Sequence, residues 1–203
     1  MENSEIFEQD ANVPGKSKKE NPFLANLHDV VFLVAGVLLV FSILFRIVIV
    51  SGPSMKNTLI DGDWLLLMSN VLYNNPKQGD VIVACKDAYD NGTPIVKRVI
   101  ATEGQVVDIN FETGTVTVDG KVLDEPYILS PTDRDEGVQF PLTVPEGCLF
   151  VLGDNRRESK DSRSPEIGLI DEREILGKAV FIIFPGNEKG AYERDIGRIG
   201  VIS

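Results

Sequence analysis

The chain has 203 residues, room for one domain of ordinary size with appendages. At 43% hydrophobic and 25% charged residues it is not a wholly disordered chain. A formal net charge of −11 with no long Lys/Arg run argues against nucleic acid as a partner, since that binding rests on cations that neutralise phosphates.

A single histidine, His28, and two cysteines, Cys85 and Cys148, cannot supply the three or four ligands of a usual Cys/His zinc site. No Walker-type or dinucleotide-type glycine loop is present. Neither a metal nor any other cofactor is therefore expected.

In chain order, residues 1–22 are polar, carry Lys16, Lys18 and Lys19, and read as a cytoplasmic tail. Residues 23–46 read as a transmembrane anchor. Val30 to Phe45 holds no charge, and with its flanks the run reaches the ~20 residues a spanning helix needs. It is longer than the ~7–15-residue core of a cleaved signal and lacks a small-x-small cleavage site. The lysines before it favour a single pass through the plasma membrane with the N-terminus inside. Residues 47–203 would then form an extracytoplasmic domain, and His28 would lie at the inner face. That placement removes Ser-His-Asp and Cys-His mechanisms from the outer domain.

The outer residues read as short strands: Trp64 to Met68, Val81 to Cys85, Ile95 to Thr102, Val106 to Asn110, Thr115 to Val118, Lys121 to Leu123, Cys148 to Leu152 and Leu176 to Phe184. Asp119-Gly120 between two of them is the strongest hairpin signal. Many short strands with Gly/Pro/Asn/Asp turns predict an all-β barrel or sandwich behind one N-terminal helix. Cys85 and Cys148 fall in strands and could be a disulfide or two buried thiols. Residues 187–203 show no legible pattern.

Three stretches could carry chemistry. Ser54 follows the apolar run through the turn Gly52-Pro53, where a hydroxyl can stand clear. Without histidine its proton needs another acceptor, and a lysine serves if burial lowers its pKa. In the strand Pro94 to Ile100, Lys97 shares a face with Ile95 and Val99, and those apolar neighbours disfavour the ammonium. The alternative is a lysine that snorkels out at an edge strand. Arg98 points to the other face, toward a carboxylate. The stretch Gly153 to Arg163 is either a solvated loop laced with ion pairs or a support loop for the amine. The carboxylates of Asp61-Gly62-Asp63 read as turn formers, not as an acid/base pair.

The ordered trio resembles the type I signal peptidase family of membrane-anchored serine–lysine endopeptidases. Ser54-Met55-Lys56-Asn57-Thr58-Leu59 is similar to its S-M-x-P-T-L box, Lys97-Arg98 to its K-R box, and Gly153-Asp154-Asn155 with Ser159 and Asp161-Ser162-Arg163 to its G-D-N-x-x-x-S-x-D-S-R box. The resemblance implies Ser54 as nucleophile, with its backbone N–H in the oxyanion hole, and Lys97 as general base. It further implies the Ser159 hydroxyl against the lysine amine, and Asp161 and Arg163 as the supporting pair. Pockets for small side chains would be lined by Val48, Val50, Met55 and Val96. The implied partners are secretory precursor proteins, at their signal peptides, and membrane lipid.

Three departures stand. Gly52 occupies a place where some members add a hydroxyl donor, Asn57 replaces the usual proline, and Ala101–Gln105 replaces the common G-x-P-G-D turn. An inactive paralogue, or a membrane-tethered β domain that binds exported chains, is the alternative reading.

Overall fold

The computed structural model describes residues 22–86, 89–187 and 193–202. By internal contacts the chain divides into two units, Met1–Leu39 and Val40–Ser203.

Helix α1 spans Pro22–Leu44 and contains the whole described part of the first unit. Its 19 residues Asn26–Leu44 are long and apolar enough to cross a membrane. At about 1.5 Å per residue they extend about 28 Å, close to the ~30 Å of a hydrocarbon core. The apolar residues surround the axis and do not form one stripe. The helix stops two residues short of the expected boundary. Phe45 and Arg46 instead begin a strand, because Phe45–Ile49 pairs residue for residue with Trp64–Met68. The β-branched run Ile47-Val48-Ile49 suits that pairing better than helix.

The second unit is all-β. Its strands are β1 (Phe45–Ile49), β2 (Trp64–Ser69), β3 (Val81–Cys85), β4 (Pro94–Ala101), β5 (Val106–Asn110), β6 (Thr115–Val118), β7 (Lys121–Val122), β8 (Leu142–Thr143), β9 (Cys148–Leu152), β10 (Ile170–Asp171), β11 (Ile175–Phe184) and β12 (Gly200–Val201). The larger sheet runs β1-β2-β11-β3-β4-β9-β10, with β12 also on β11, and the smaller runs β7-β6-β5-β8. Every pairing is antiparallel. Asp119 and Gly120 both take positive φ, at 50° and 74°, which the tight β6–β7 hairpin requires.

Three apolar clusters hold the sheets. One gathers Val50, Met55, Leu59, Leu65, Leu67 and Val83 beneath the loop that carries Ser54. A second joins Ile82, Val99, Leu149, Val151 and Ile170. The third bonds the smaller sheet to the larger through Ile100, Val107, Val116, Val118, Phe150 and Leu152. Cys85 and Cys148 are half-buried, with no disulfide between them.

Phe150 is fully buried in the third cluster, its ring edge-on to Phe140 at 5.7 Å. Phe150→Ala leaves a cavity between the sheets and lowers stability by about 3–5 kcal/mol, to be read by chemical unfolding of the full chain.

Candidate active site

The loop between β1 and β2 is closed at its base like a hairpin. Val50 N donates to Asp63 O and Gly62 N to Val50 O, each at 2.9 Å. Within it a helical turn forms, with Lys56 N donating to Pro53 O at 2.9 Å and Leu59 N to Met55 O at 2.8 Å. Met55 and Leu59 thereby point into the core, and Ser54 stays half-buried at the rim. Asp61 Oδ1 accepts from Gly52 N at 2.8 Å, which fixes the turn in front of Ser54. Asp63 is fully buried and paired with Arg198. Both acids thus hold the loop, as turn residues do.

The adjacent β4 supplies Lys97, which is only 5% exposed. Its Nζ lies 2.9 Å from Ser54 Oγ and 3.0 Å from Val96 O. The edge-snorkel alternative is therefore excluded, since β4 is an inner strand between β3 and β9. Burial pushes the Lys97 amine down from 10.5 to about 8, against the opposing pull of the Asp161 and Asp154 carboxylates. Those two acids are matched elsewhere. Arg98, on the opposite face of β4, donates to Asp154 Oδ1 from Nε at 2.9 Å and to Oδ2 from Nη2 at 2.7 Å. Arg163 donates to Asp161 Oδ1 from Nε at 2.8 Å and to Oδ2 from Nη2 at 2.9 Å. Each carboxylate has its own guanidinium, and among the described residues the buried amine has no carboxylate of its own.

The loop after β9 ties the other two stretches together. Asn155 N donates to Ser54 O at 3.0 Å, and Asn155 Nδ2 donates to Pro53 O at 3.2 Å. Thr58 donates to Asp154 Oδ2, so the serine loop and Arg98 meet on one carboxylate. Asp161 Oδ2 accepts from Gly153 N at 3.0 Å. A Cβ on Gly153 would stand 2.5 Å from Ser54 O and 2.2 Å from Ser159 Oγ, so only glycine allows this approach.

Ser159 departs from expectation. Its hydroxyl is buried but makes no hydrogen bond, to Lys97 or to any other described residue. It presses on Gly153, and the lysine amine is directed to Ser54 Oγ and Val96 O instead. The Ser54 N–H also donates to no described group.

A cleft of about 350 Å³ opens beside the pair, lined by Val48, Val50, Val83, Ile95 and Val96 together with Ser54 and Lys97. Met55, expected on its wall, is not there. It is 1% exposed in the core cluster that contains Val50. A larger depression of about 520 Å³ shares Ser51, Gly52 and Pro53 with the cleft but touches neither Ser54 nor Lys97.

The departures have structural counterparts. Gly52 takes φ 88°, in the left-handed region where a side chain bearing a hydroxyl is strained. Asn57 takes φ 102°, a value closed to the proline ring, and its Nδ2 donates to Tyr127 O at 3.1 Å.

A serine hydroxyl hydrogen-bonded to a buried amine, in the lining of a cleft, meets the needs of a hydrolase that works without histidine. Residues 24–184 match the family described as signal peptidase, peptidase S26. A signal peptidase I of Bacillus licheniformis is 34% identical over 180 residues, covering 85% of this chain and 94% of that protein. Signal peptidase I T of Bacillus subtilis (strain 168) is 36% identical over 179 residues, 84% of this chain and 90% of that protein. A crystal structure of a signal peptidase I from Enterococcus faecalis V583 is 30% identical, with a TM-score of 0.42 over 51% of this chain and 96% of that one. The chain belongs to the signal peptidase family, peptidase S26, a family of serine endopeptidases.

Two outcomes follow from this geometry. Because the folded-state pKa of Lys97 is depressed, the unfolded chain binds more protons between pH 8 and 10.5. Stability conferred through this group therefore rises with pH across that window. Lys97→Met removes the rise and stabilises the fold at pH 7 by on the order of 1–3 kcal/mol, measured as the difference between the two unfolding-versus-pH curves. Asn57→Pro destabilises the serine loop by about 1–3 kcal/mol in the same assay, whereas Asn57→Gly is tolerated.

Proposed function

We propose that the chain is a membrane-bound serine endopeptidase that removes N-terminal signal peptides from exported precursor proteins. The observation that carries this reading is the 2.9 Å contact between Ser54 Oγ and a buried Lys97 amine whose pKa is pushed down to about 8. The names of the relatives, signal peptidase I, support the substrate class.

In this mechanism the neutral Lys97 amine takes the Ser54 proton as Oγ adds to the scissile carbonyl. The oxyanion that forms accepts from the Ser54 N–H, which no described group occupies. The lysine ammonium then gives its proton to the leaving amine, and the signal peptide remains as an ester on Ser54. A water, deprotonated by the same amine, cleaves that ester and frees the serine. Asp161 and Arg163 hold the Gly153 turn, and Ser159 fills the space against it. Val48, Val50 and Val96 make a wall suited to small apolar side chains, with Met55 packed in the core that supports Val50.

α1 is the anchor in this reading, single-pass, with the N-terminus cytoplasmic and residues 47–203 outside. Ser54 follows Leu44 by ten residues, so at most ~36 Å of chain separates it from the end of the apolar helix. A peptide bond leaving the bilayer falls within that reach.

The test is cleavage of a purified secretory precursor by the full chain in detergent. Wild type releases the signal peptide, and Ser54→Ala and Lys97→Ala lower kcat/KM by on the order of 10⁴-fold or more while remaining folded. The neutral amine is the active form, so kcat/KM rises about tenfold per unit below pH 8 and levels off above it. Equal inertness of all three folded proteins would falsify the catalytic reading.

A further inference from the structure

The stretches that carry Ser54, Lys97 and Ser159 all touch a fourth, Glu125–Tyr127, that lies outside every chemical motif in the chain. Tyr127 O accepts from Asn57 Nδ2 at 3.1 Å, three residues beyond Ser54. The Arg98 guanidinium, next in sequence to Lys97, lies over the Tyr127 ring at 3.9 Å from its centre. Glu125 Oε2 accepts from Arg156 Nη1 at 3.2 Å, and Arg156 Nε donates to Gly153 O at 3.0 Å. Gly153 is the residue on which Ser54 O and Ser159 Oγ both press. Tyr127 Oη closes the set by donating to Glu125 Oε1 at 3.1 Å.

This segment is well founded. Leu123 N donates to Val116 O at 3.0 Å and its side chain packs into the cluster between the sheets, so Glu125 begins two residues from a fixed point. The Arg156 and Glu125 side chains are 0% and 6% exposed. A pair so deeply buried contributes little net stability compared with apolar residues of the same shape, because both charges lose their water. What it supplies is direction: a planar fork on a carboxylate admits few orientations.

We propose that Glu125 and Tyr127 are positioning residues, through which the small sheet holds the serine loop, Arg98 and the Gly153 turn so that Ser54 Oγ stays against Lys97 Nζ. The brace acts through Arg156, Arg98 and Asn57, and neither residue lines the cleft. The inference rests on the Ser54–Lys97 chemistry proposed above, but not on the identity of the peptide cleaved.

The experiment measures acylation of Ser54 by a small serine-directed acylating inhibitor on the folded full chain, separating the first-order acylation constant from the half-saturating concentration. This readout depends on the hydroxyl–amine geometry whether or not a secretory precursor is cleaved, so a failure of the substrate reading stays distinct. Glu125→Gln removes the charge at constant shape, Tyr127→Leu removes the ring beneath Arg98, and Tyr127→Phe keeps that ring. Glu125→Gln and Tyr127→Leu each lower the acylation constant by about 10–100-fold, the scale of a sub-ångström to 1 Å misplacement, with the half-saturating concentration moved less than about 3-fold. Tyr127→Phe stays within about 3-fold of wild type. Should Glu125→Gln fail to fold, the Tyr127 pair decides. An acylation constant per folded molecule that is unchanged in Tyr127→Leu, with only the melting temperature lowered, overturns the proposal.

Discussion

The site depends on a lysine that folding has stripped of water without giving it a counter-ion among the described residues. Desolvation outweighs the pull of the Asp161 and Asp154 carboxylates and leaves the amine at about 8, down from 10.5. At pH 7 about one amine in ten is then neutral, against about three in ten thousand for an ordinary lysine. In the proposed mechanism that gain in usable base, about 300-fold, is what would let a domain whose described part holds no histidine activate a hydroxyl. It exists because β4 is an inner strand: the same side chain at a sheet edge would reach water and keep its proton.

The remaining contacts prevent this arrangement from relaxing. Two buried carboxylates near a lysine would ordinarily restore its charge, but here each is claimed by an arginine with a bidentate grip. Those ion pairs also join segments far apart in sequence. Asp154 collects Arg98 and Thr58, while Asn155 holds both Pro53 and Ser54. The serine is therefore set by a strap over its loop, by the acid Asp61 at Gly52, and by a glycine that lets the two backbones meet.

Most of the strands were legible because their cause is local. Alternation marks β5 and β6, turn residues bound them, and Asp119-Gly120 dictates the hairpin between β6 and β7. The alternation around Lys97 also foretold that Arg98 would face a carboxylate. The helix end was misplaced by two residues because apolar composition does not distinguish helix from strand; the pairing of Phe45 and Arg46 with β2 decides it. The strands β8, β10 and β12 are two residues each, too short for any periodicity. Residues 187–203 looked empty, yet Arg198 pairs with Asp63 across 135 positions. Ser159 and Met55 show a further limit: a motif names the residue, but its rotamer and the wall it forms are set by packing around Gly153 and Leu59. The tie between Asp61 and Gly52, and the contacts of Tyr127 with Asn57 and Arg98, are made only after folding.

The protonation of the Lys97 amine can be observed without any substrate. Lysine side chains labelled with ¹³C and ¹⁵N in the full chain, with Lys97→Arg to assign the resonance, give the titration of Lys97 directly by NMR. The expected midpoint is near 8. A midpoint near the ordinary 10.5 in the folded protein would mean that Lys97 stays charged through the neutral range, and that something other than this amine takes the proton of Ser54.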